Sequence, residues 1–351
     1  MESAISEHLV RPRMCPARHP DGYEPPYATR VGRIAPDVES LVMMYFGVQT
    51  PSGVATGLRA LTVLDECLGR PGGPAHWDRA VFEDQTGTHN VLTVAYWSSA
   101  SAFEQWRVRS GFDQWWQSDD RIADGPGYYL EVLTPDVARL ELSLFASPWE
   151  REGAAKLTDT ISGDVREHAY WGSIFDRIPA AQDEWLKPSG VVVVDSARSR
   201  PSRIVVAPTE NACIIRSGQD WTRTSGIERS LYTDRIHPKL VNAMIHLRDS
   251  GMDLGCFSCR MVHRVDDTGK PVDKTYGTAI FRSLDHLAVW AGSHHTHEAL
   301  YAAFMQTNAE LDFRLEMSAY HEVAVLTREQ QSYEYVNCHP QTGMLNAVSA
   351  G

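Results

Sequence analysis

The chain has 351 residues, enough for about two domains of ordinary size, and 43% of them are hydrophobic, enough for a sizeable core. Thirty-three Lys and Arg against 45 Asp and Glu leave a net charge of −12, which argues against nucleic acid or an anionic membrane as the main partner. No run approaches the ~20 apolar residues of a membrane span, the first residues lack the apolar centre of a signal peptide, and six scattered cysteines suit a reducing cytoplasm better than a disulfide framework.

Residues 1–38 are Pro-rich and irregular and read as an N-terminal arm that wraps the body. Residues 41–49 read as a strand, 53–69 as a helix, 89–97 as a strand, 99–109 and 112–117 as helices, and 127–135 as a strand. The second half runs through the same order. Residues 211–219 read as a strand and 226–251 as a helix. Residues 256–266 and 275–283 read as strands, 284–293 and 296–307 as helices, and 318–326 as a strand.

The halves also match residue by residue. Ser99, Phe103 and Trp106 align with Ser283, Leu287 and Trp290; "YLEV" at 129–132 aligns with "YHEV" at 320–323; Gly47 aligns with Gly218. A repeat of this kind predicts two copies of a strand–helix–strand–strand–helix–strand unit, the ferredoxin-like pattern. The expected fold is α+β: two tandem ferredoxin-like modules packed face to face as a dimeric α+β barrel, plus the arm. The boundaries are 1–38 for the arm, 39–144 for module 1, 145–205 for a connecting segment and 206–351 for module 2. The connecting segment is too long for a bare linker and should fold over something. In this alignment His297 replaces Asp113, His321 replaces Leu130 and Ser217 replaces Phe46. The second copy has gained polar groups, so one half carries a site and the other is scaffold.

"WAGSHHTHEALY" (290–301) holds three histidines, at 294, 295 and 297. A metal pair on a helix wants the i, i+4 spacing, and no acidic third ligand stands beside this run. An axial ligand to haem needs only one helix presenting an imidazole to an apolar pocket. A third use is the helix start itself, which Ser293 and Thr296 are suited to cap. Cys256 and Cys259 form a lone C-x-x-C within a strand, as expected of buried thiols rather than a zinc or redox site. Ser217 lacks the flanking glycines of a nucleophile elbow, which leaves a strand-end serine or one that holds a ligand hydroxyl. His321 shares a strand face with Val323 and Val325 while Glu322 points oppositely; it is a core histidine or a proton-transfer group. Arg177 can pair with Asp176 or with a remote carboxylate such as Glu141.

Several of these stretches, in order, carry a resemblance. "MESAISEHL", "EHAYWGSIFDRIP" (167–179), "IRSGQDW" (215–221), "SHHTHEAL" (293–300), "YHEVAV" (320–325) and "YVNCHPQTGML" (335–345) resemble the haem-containing aldoxime dehydratases, a family of lyases that turn R–CH=N–OH into R–C≡N and water. The resemblance implies haem b, ferrous in the active state, and an aliphatic or arylaliphatic aldoxime as substrate. It also implies a dimeric α+β barrel and a homodimer, and makes the connecting segment a cover over the haem pocket. It further implies that His297 is the axial ligand of the iron and His321 the distal acid–base group. Ser217 would hold the oxime hydroxyl, with Arg177 beside it and Glu141 as a supporting carboxylate; His294 and His295 are bystanders. The chain departs from the family pattern at His295, where proline is usual, and at Phe175, where arginine occurs. The competing expectation is a haem-binding or peroxidase-like protein of the same barrel superfamily without dehydratase activity.

Overall fold

The computed structural model describes residues 1–146 and 150–349. The first unit runs β1 (Val42–Thr50), α1 (Val54–Ala60), α2 (Thr62–Leu68), β2 (His76–Glu83), β3 (His89–Trp97), α3 (Ala100–Arg109), α4 (Phe112–Gln117) and β4 (Gly127–Leu133). A strand, β5 (Leu140–Ala146), and a short helix, α5 (Ser173–Arg177), follow. The second unit runs β6 (Ala212–Asp220), α6 (Gly226–Leu231), α7 (His237–Ser250), β7 (Cys256–Val265), β8 (Pro271–Phe281), α8 (Leu284–Ser293), α9 (His295–Glu310) and β9 (Ser318–Leu326), with β10 (Gln331–Val336) after it. The helix expected over 226–251 continues from α6 into α7 through a π-helical turn at Tyr232–Ile236.

Both units have one antiparallel strand order. In each the fourth strand flanks the first, the first flanks the third, and the third flanks the second: β9-β6-β8-β7 and β4-β1-β3-β2. The two sets of four are not separate sheets. Arg79–Val81 of β2 pairs with His263–Val265 of β7, so the units share one continuous 14-stranded sheet among the described residues. Face-to-face contact still occurs, because the twisted sheet folds on itself. One buried cluster gathers Tyr45, Leu92, Tyr129 and Leu133 from the first unit with Ile214, Ile280, Ala324 and Leu326 from the second. The outer faces are covered by helices: α2, α3 and α4 over the first unit, α7 and α8 over the second.

The repeat has a steric signature. Gly47 lies opposite Tyr129 in the β1–β4 register, and Gly218 opposite Tyr320 in the β6–β9 register. A Cβ on Gly47 would sit 1.8 Å from Tyr129 Cζ, and one on Gly218 would sit 2.1 Å from Tyr320 Cε1. Each buried ring lies flat over the backbone of the neighbouring strand, where only glycine leaves room. Inside the fold Arg216 is fully buried and donates to Asp78 (2.7 Å) and to the Tyr320 hydroxyl (3.0 Å), while Tyr96 Oη donates to Glu322 (2.8 Å). Arg260 makes two 2.7 Å bonds to Glu131 across the same interior.

The strands at 76–83, 140–146 and 331–336 were not anticipated. Of these β5 matters most, since it lies beside β9 of the second unit. The module boundary at 144/145 falls within it. The N-terminal arm contributes the strand Thr29–Arg33, which pairs with β5, and its Met14 and Cys15 amides both donate to the Gln182 carbonyl. Residues 147–149 of the connecting segment and 350–351 of module 2 lie outside the described residues.

Gly218→Ala should destabilise the protein by about 1–3 kcal/mol, because the Tyr320 ring cannot yield without leaving the Arg216 network. Urea denaturation measures this; a midpoint equal to the wild type would refute the close approach.

Candidate active site

The site is built on one face of three adjacent strands. β9 lies between β5 and β6, and the register sets His321 opposite Ser217 on one side and Ser143 on the other. Val323 pairs with Glu141 one step along. Side chains alternate across a strand. Glu141, Ser143 and Phe145 of β5, His321 and Val323 of β9, and Cys213, Ile215 and Ser217 of β6 therefore share one face, the one on which α7 and α8 pack over Cys213, Ile215 and Val323. Glu322 and Arg216 go to the interior behind it, as the alternation predicts.

His321 is walled by Phe145, whose ring meets it edge-to-face at 4.7 Å. Ser143 Oγ donates to Glu141 Oε1 at 3.2 Å, and Arg177 makes a two-pronged contact with Glu141, Nε at 3.3 Å and a terminal nitrogen at 3.2 Å. Arg177 comes from α5 and is anchored further by Ser173 Oγ of that helix (3.1 Å) and by the Glu167 carbonyl ahead of it (2.9 Å). So Arg177 takes the remote carboxylate rather than its neighbour Asp176, and the pair is buried. Removing one member would strand the other charge in the interior, which is costly. Burial first, then the positive charge of Arg177 and the nearby His297, push the His321 pKa down to about 3. The ring is neutral at pH 7.

His297 projects from the first turn of α9. Helix α8 ends at Ser293, and His294 in an extended conformation (ψ 127°) breaks the chain direction and caps α9. The Ser293 hydroxyl instead donates back to the Val289 carbonyl at 2.8 Å. The His297 ring packs against Trp290 at 4.8 Å between centroids. Its Nδ1 is sealed from solvent with no aligned hydrogen-bond partner, as is Trp290 Nε1. Burial holds the His297 pKa down to about 4, against a smaller opposing pull from the Ala291 carbonyl.

In the first unit the same region is filled. Phe46, at the place of Ser217, touches Phe112, Trp115, Trp116 and Tyr128 at 5.6–6.4 Å between centroids. Trp106, at the place of Trp290, donates its Nε1 to the Cys67 carbonyl at 2.8 Å. Asp113, at the place of His297, is paired with Arg107 at 2.6 Å. The first unit satisfies the two groups at the places of Trp290 and His297 and packs its helix layer with aromatic rings. The other leaves polar atoms unpaired around His297. Buried polar atoms without partners mark a place where a further group binds.

Two residues escaped sequence reasoning. His168, in the connecting segment, is buried with both ring nitrogens unpartnered among the described residues. Its ring lies 5.0 Å from Tyr27 of the arm, and burial with the Arg177 charge lowers its pKa to about 4. Tyr27 in turn meets Phe304 of α9 at 6.1 Å. The arm and the connecting segment thus close over α9. The only available signal was that His168 stands beside Glu167 in a stretch shared with known enzymes. Cys256 and Cys259 are buried and unbridged, and burial drives their thiol pKa values up, so they are poor thiolate ligands.

The geometry agrees with the comparisons. The model of the haem-containing dehydratase family matches residues 44–344. An aliphatic aldoxime dehydratase of Rhodococcus erythropolis is 39% identical over 348 residues, covering 98% of each chain. A phenylacetaldoxime dehydratase of a Bacillus species is 28% identical, covering 93% of each. A crystal structure of an aldoxime dehydratase in complex with butyraldoxime superposes with a TM-score of 0.93 at 38% identity, covering 99% of this chain and 97% of the other. The chain belongs to the haem-containing dehydratase family, and its cofactor is haem. The residues present fit such a group: an imidazole in an apolar wall with unsatisfied polar atoms beside it, facing a strand surface with its own neutral histidine.

Two histidines, His168 and His321, have folded pKa values of about 4 and about 3, both set chiefly by loss of solvation. Both lie below the ~6.5 of a free imidazole. The unfolded chain binds the extra protons, so stability is full above pH ~6.5 and is lost as pH falls toward 4. The melting temperature should drop by several degrees between pH 7 and pH 5; a constant value over that window would contradict their neutral state in the fold.

Proposed function

We propose that the chain dehydrates aldoximes to nitriles, with haem b held through His297, ferrous in the active state, and His321 moving the protons. The observation that carries this reading is the register row Ser217–His321–Ser143 on the face that His297 confronts. Haem held there would supply an electron-rich iron able to polarise the N–O bond of an oxime. His297 holds the cofactor from the helix side. Ser217 accepts or donates at the oxime hydroxyl and keeps the departing oxygen in line.

The overall reaction moves one proton from carbon to the departing hydroxide and releases water, with no net proton change. A group that is neutral before and after the cycle suits this balance. His321 takes the carbon-bound proton and delivers a proton to the leaving oxygen, a role of about 10²–10⁴-fold for a positioned acid–base group. Arg177 opposes accumulation of charge on His321, so the imidazolium is short-lived and gives its proton up readily. Glu141 fixes the Arg177 head, and Ser143 links that pair to the row.

The two units read as tandem ferredoxin-like modules. Their 4-1-3-2 strand orders and matching Gly–Tyr approaches support the reading. We take the assembly to be a homodimer of the dimeric α+β barrel type. The substrate class is aliphatic to arylaliphatic aldoximes, as the relatives' names indicate. The location is read as cytoplasmic, since six unbridged cysteines suit a reducing compartment.

The direct test is nitrile formation from a short alkyl aldoxime or phenylacetaldoxime by dithionite-reduced protein without peroxide. A peroxide requirement would favour an oxidoreductase. His297→Ala should lose haem, measured as the Soret absorbance per chain; a full-occupancy, unshifted Soret band in that variant would remove His297 as the ligand.

A further inference from the structure

The histidine run leaves two imidazoles without a task, and the fold brings them a third. His246 of α7 meets His294 at 4.5 Å between ring centroids, His294 meets His295 at 4.4 Å, and His246 stands 5.9 Å from His295. His295 is exposed and the other two are half-buried. An imidazole nitrogen about 2.1 Å from a zinc-type ion puts its ring centroid about 3.2 Å from the metal. Two such rings separated by about 90–135° at one ion stand about 4.5–5.9 Å apart. The two separations from His246 fall at the ends of that range, and His294–His295, at 4.4 Å, lies just below it. The nitrogens do not converge within 4.8 Å as they stand; rotation about Cβ–Cγ, a broad and soft torsion in histidine, supplies the rest.

A second observation bears on the ligand state. His294 Nδ1 lies 2.8 Å from the buried Oγ1 of Thr296. Nδ1 also accepts the capping bond from the Thr296 amide at 3.4 Å, so Nε2 is the nitrogen left for an ion; binding there moves the ring proton to Nδ1, which then donates to Thr296 Oγ1 in place of the capping bond, the outer arrangement that metal-bound histidines adopt. Glu298 acts on His294 through its charge and offers an oxygen ligand one turn along.

We propose that His246, His294 and His295 form a binding site for a borderline divalent transition ion such as Zn²⁺, distinct from the His297 ligand position. The ion would clip α7 to the first turn of α9, the turn that carries His297. Sequence spacing hid the site because its third ligand lies on another helix.

The test is calorimetric titration of untagged, chelator-treated, haem-loaded protein with ZnCl₂, and separately with MgCl₂. The expected result is one Zn²⁺ per chain at micromolar affinity and no response to Mg²⁺. His246→Ala and His295→Ala should each weaken Zn²⁺ binding about tenfold or more with the Soret band unchanged. His19→Ala, a change at an exposed histidine of the arm, should leave it as in the wild type. No Zn²⁺ binding below millimolar, or binding indifferent to both His246→Ala and His295→Ala, would overturn the proposal.

Discussion

The site depends on the register in which β9 pairs between β5 and β6. Because the side-chain period of a strand is two, a slip of one residue would turn His321 into the interior and aim Glu322 at the haem side. The Gly218–Tyr320 approach opposes that slip, since any neighbouring residue of β6 would put a side chain into the Tyr320 ring. Behind the same strands the Arg216–Asp78 ion pair and the Tyr96–Glu322 bond require that register too. A buried charge network of this kind adds little to net stability, but an alternative pairing would leave its charges unmatched. The interior network and the outward site are two faces of one constraint.

The duplicated architecture shows how the constraint was put to use. In the first unit the space between strands and helices is closed by aromatic rings around Phe46, and the Trp106 indole is satisfied. In the second unit serine, histidine and unpaired ring nitrogens line the equivalent face. The connecting segment reaches across to deliver Arg177, and the arm brings Tyr27 toward Phe304 of α9. The two units keep one strand order and differ at a few residues on this face.

The repeat, the strands at 89–97 and 318–326, and the helix 284–293 were legible because their apolar spacing is clean and Ser99 and Ser283 mark the helix starts. The facing of His321 and Glu322 followed from alternation alone. Strand β5 escaped because "ELSLF" places Glu141 and Ser143 on the face it shares with His321, so it does not read as core. His246 joins the histidine run through a contact between remote segments, which no local pattern encodes; Glu141 was one of two partners open to Arg177, and the fold selects it over Asp176. The joining of the units edge to edge was likewise hidden: β2 reads as a polar stretch, yet its Arg79 and Asp78 are held by Asp65 and Arg216.

If the register places His321 where it moves protons, the decisive measurement is turnover of His321→Ala at verified full haem content. The account predicts an unaltered Soret band with kcat for nitrile formation reduced about 10²–10⁴-fold. A haem-replete His321→Ala enzyme that turns over within a few-fold of the wild type would contradict it.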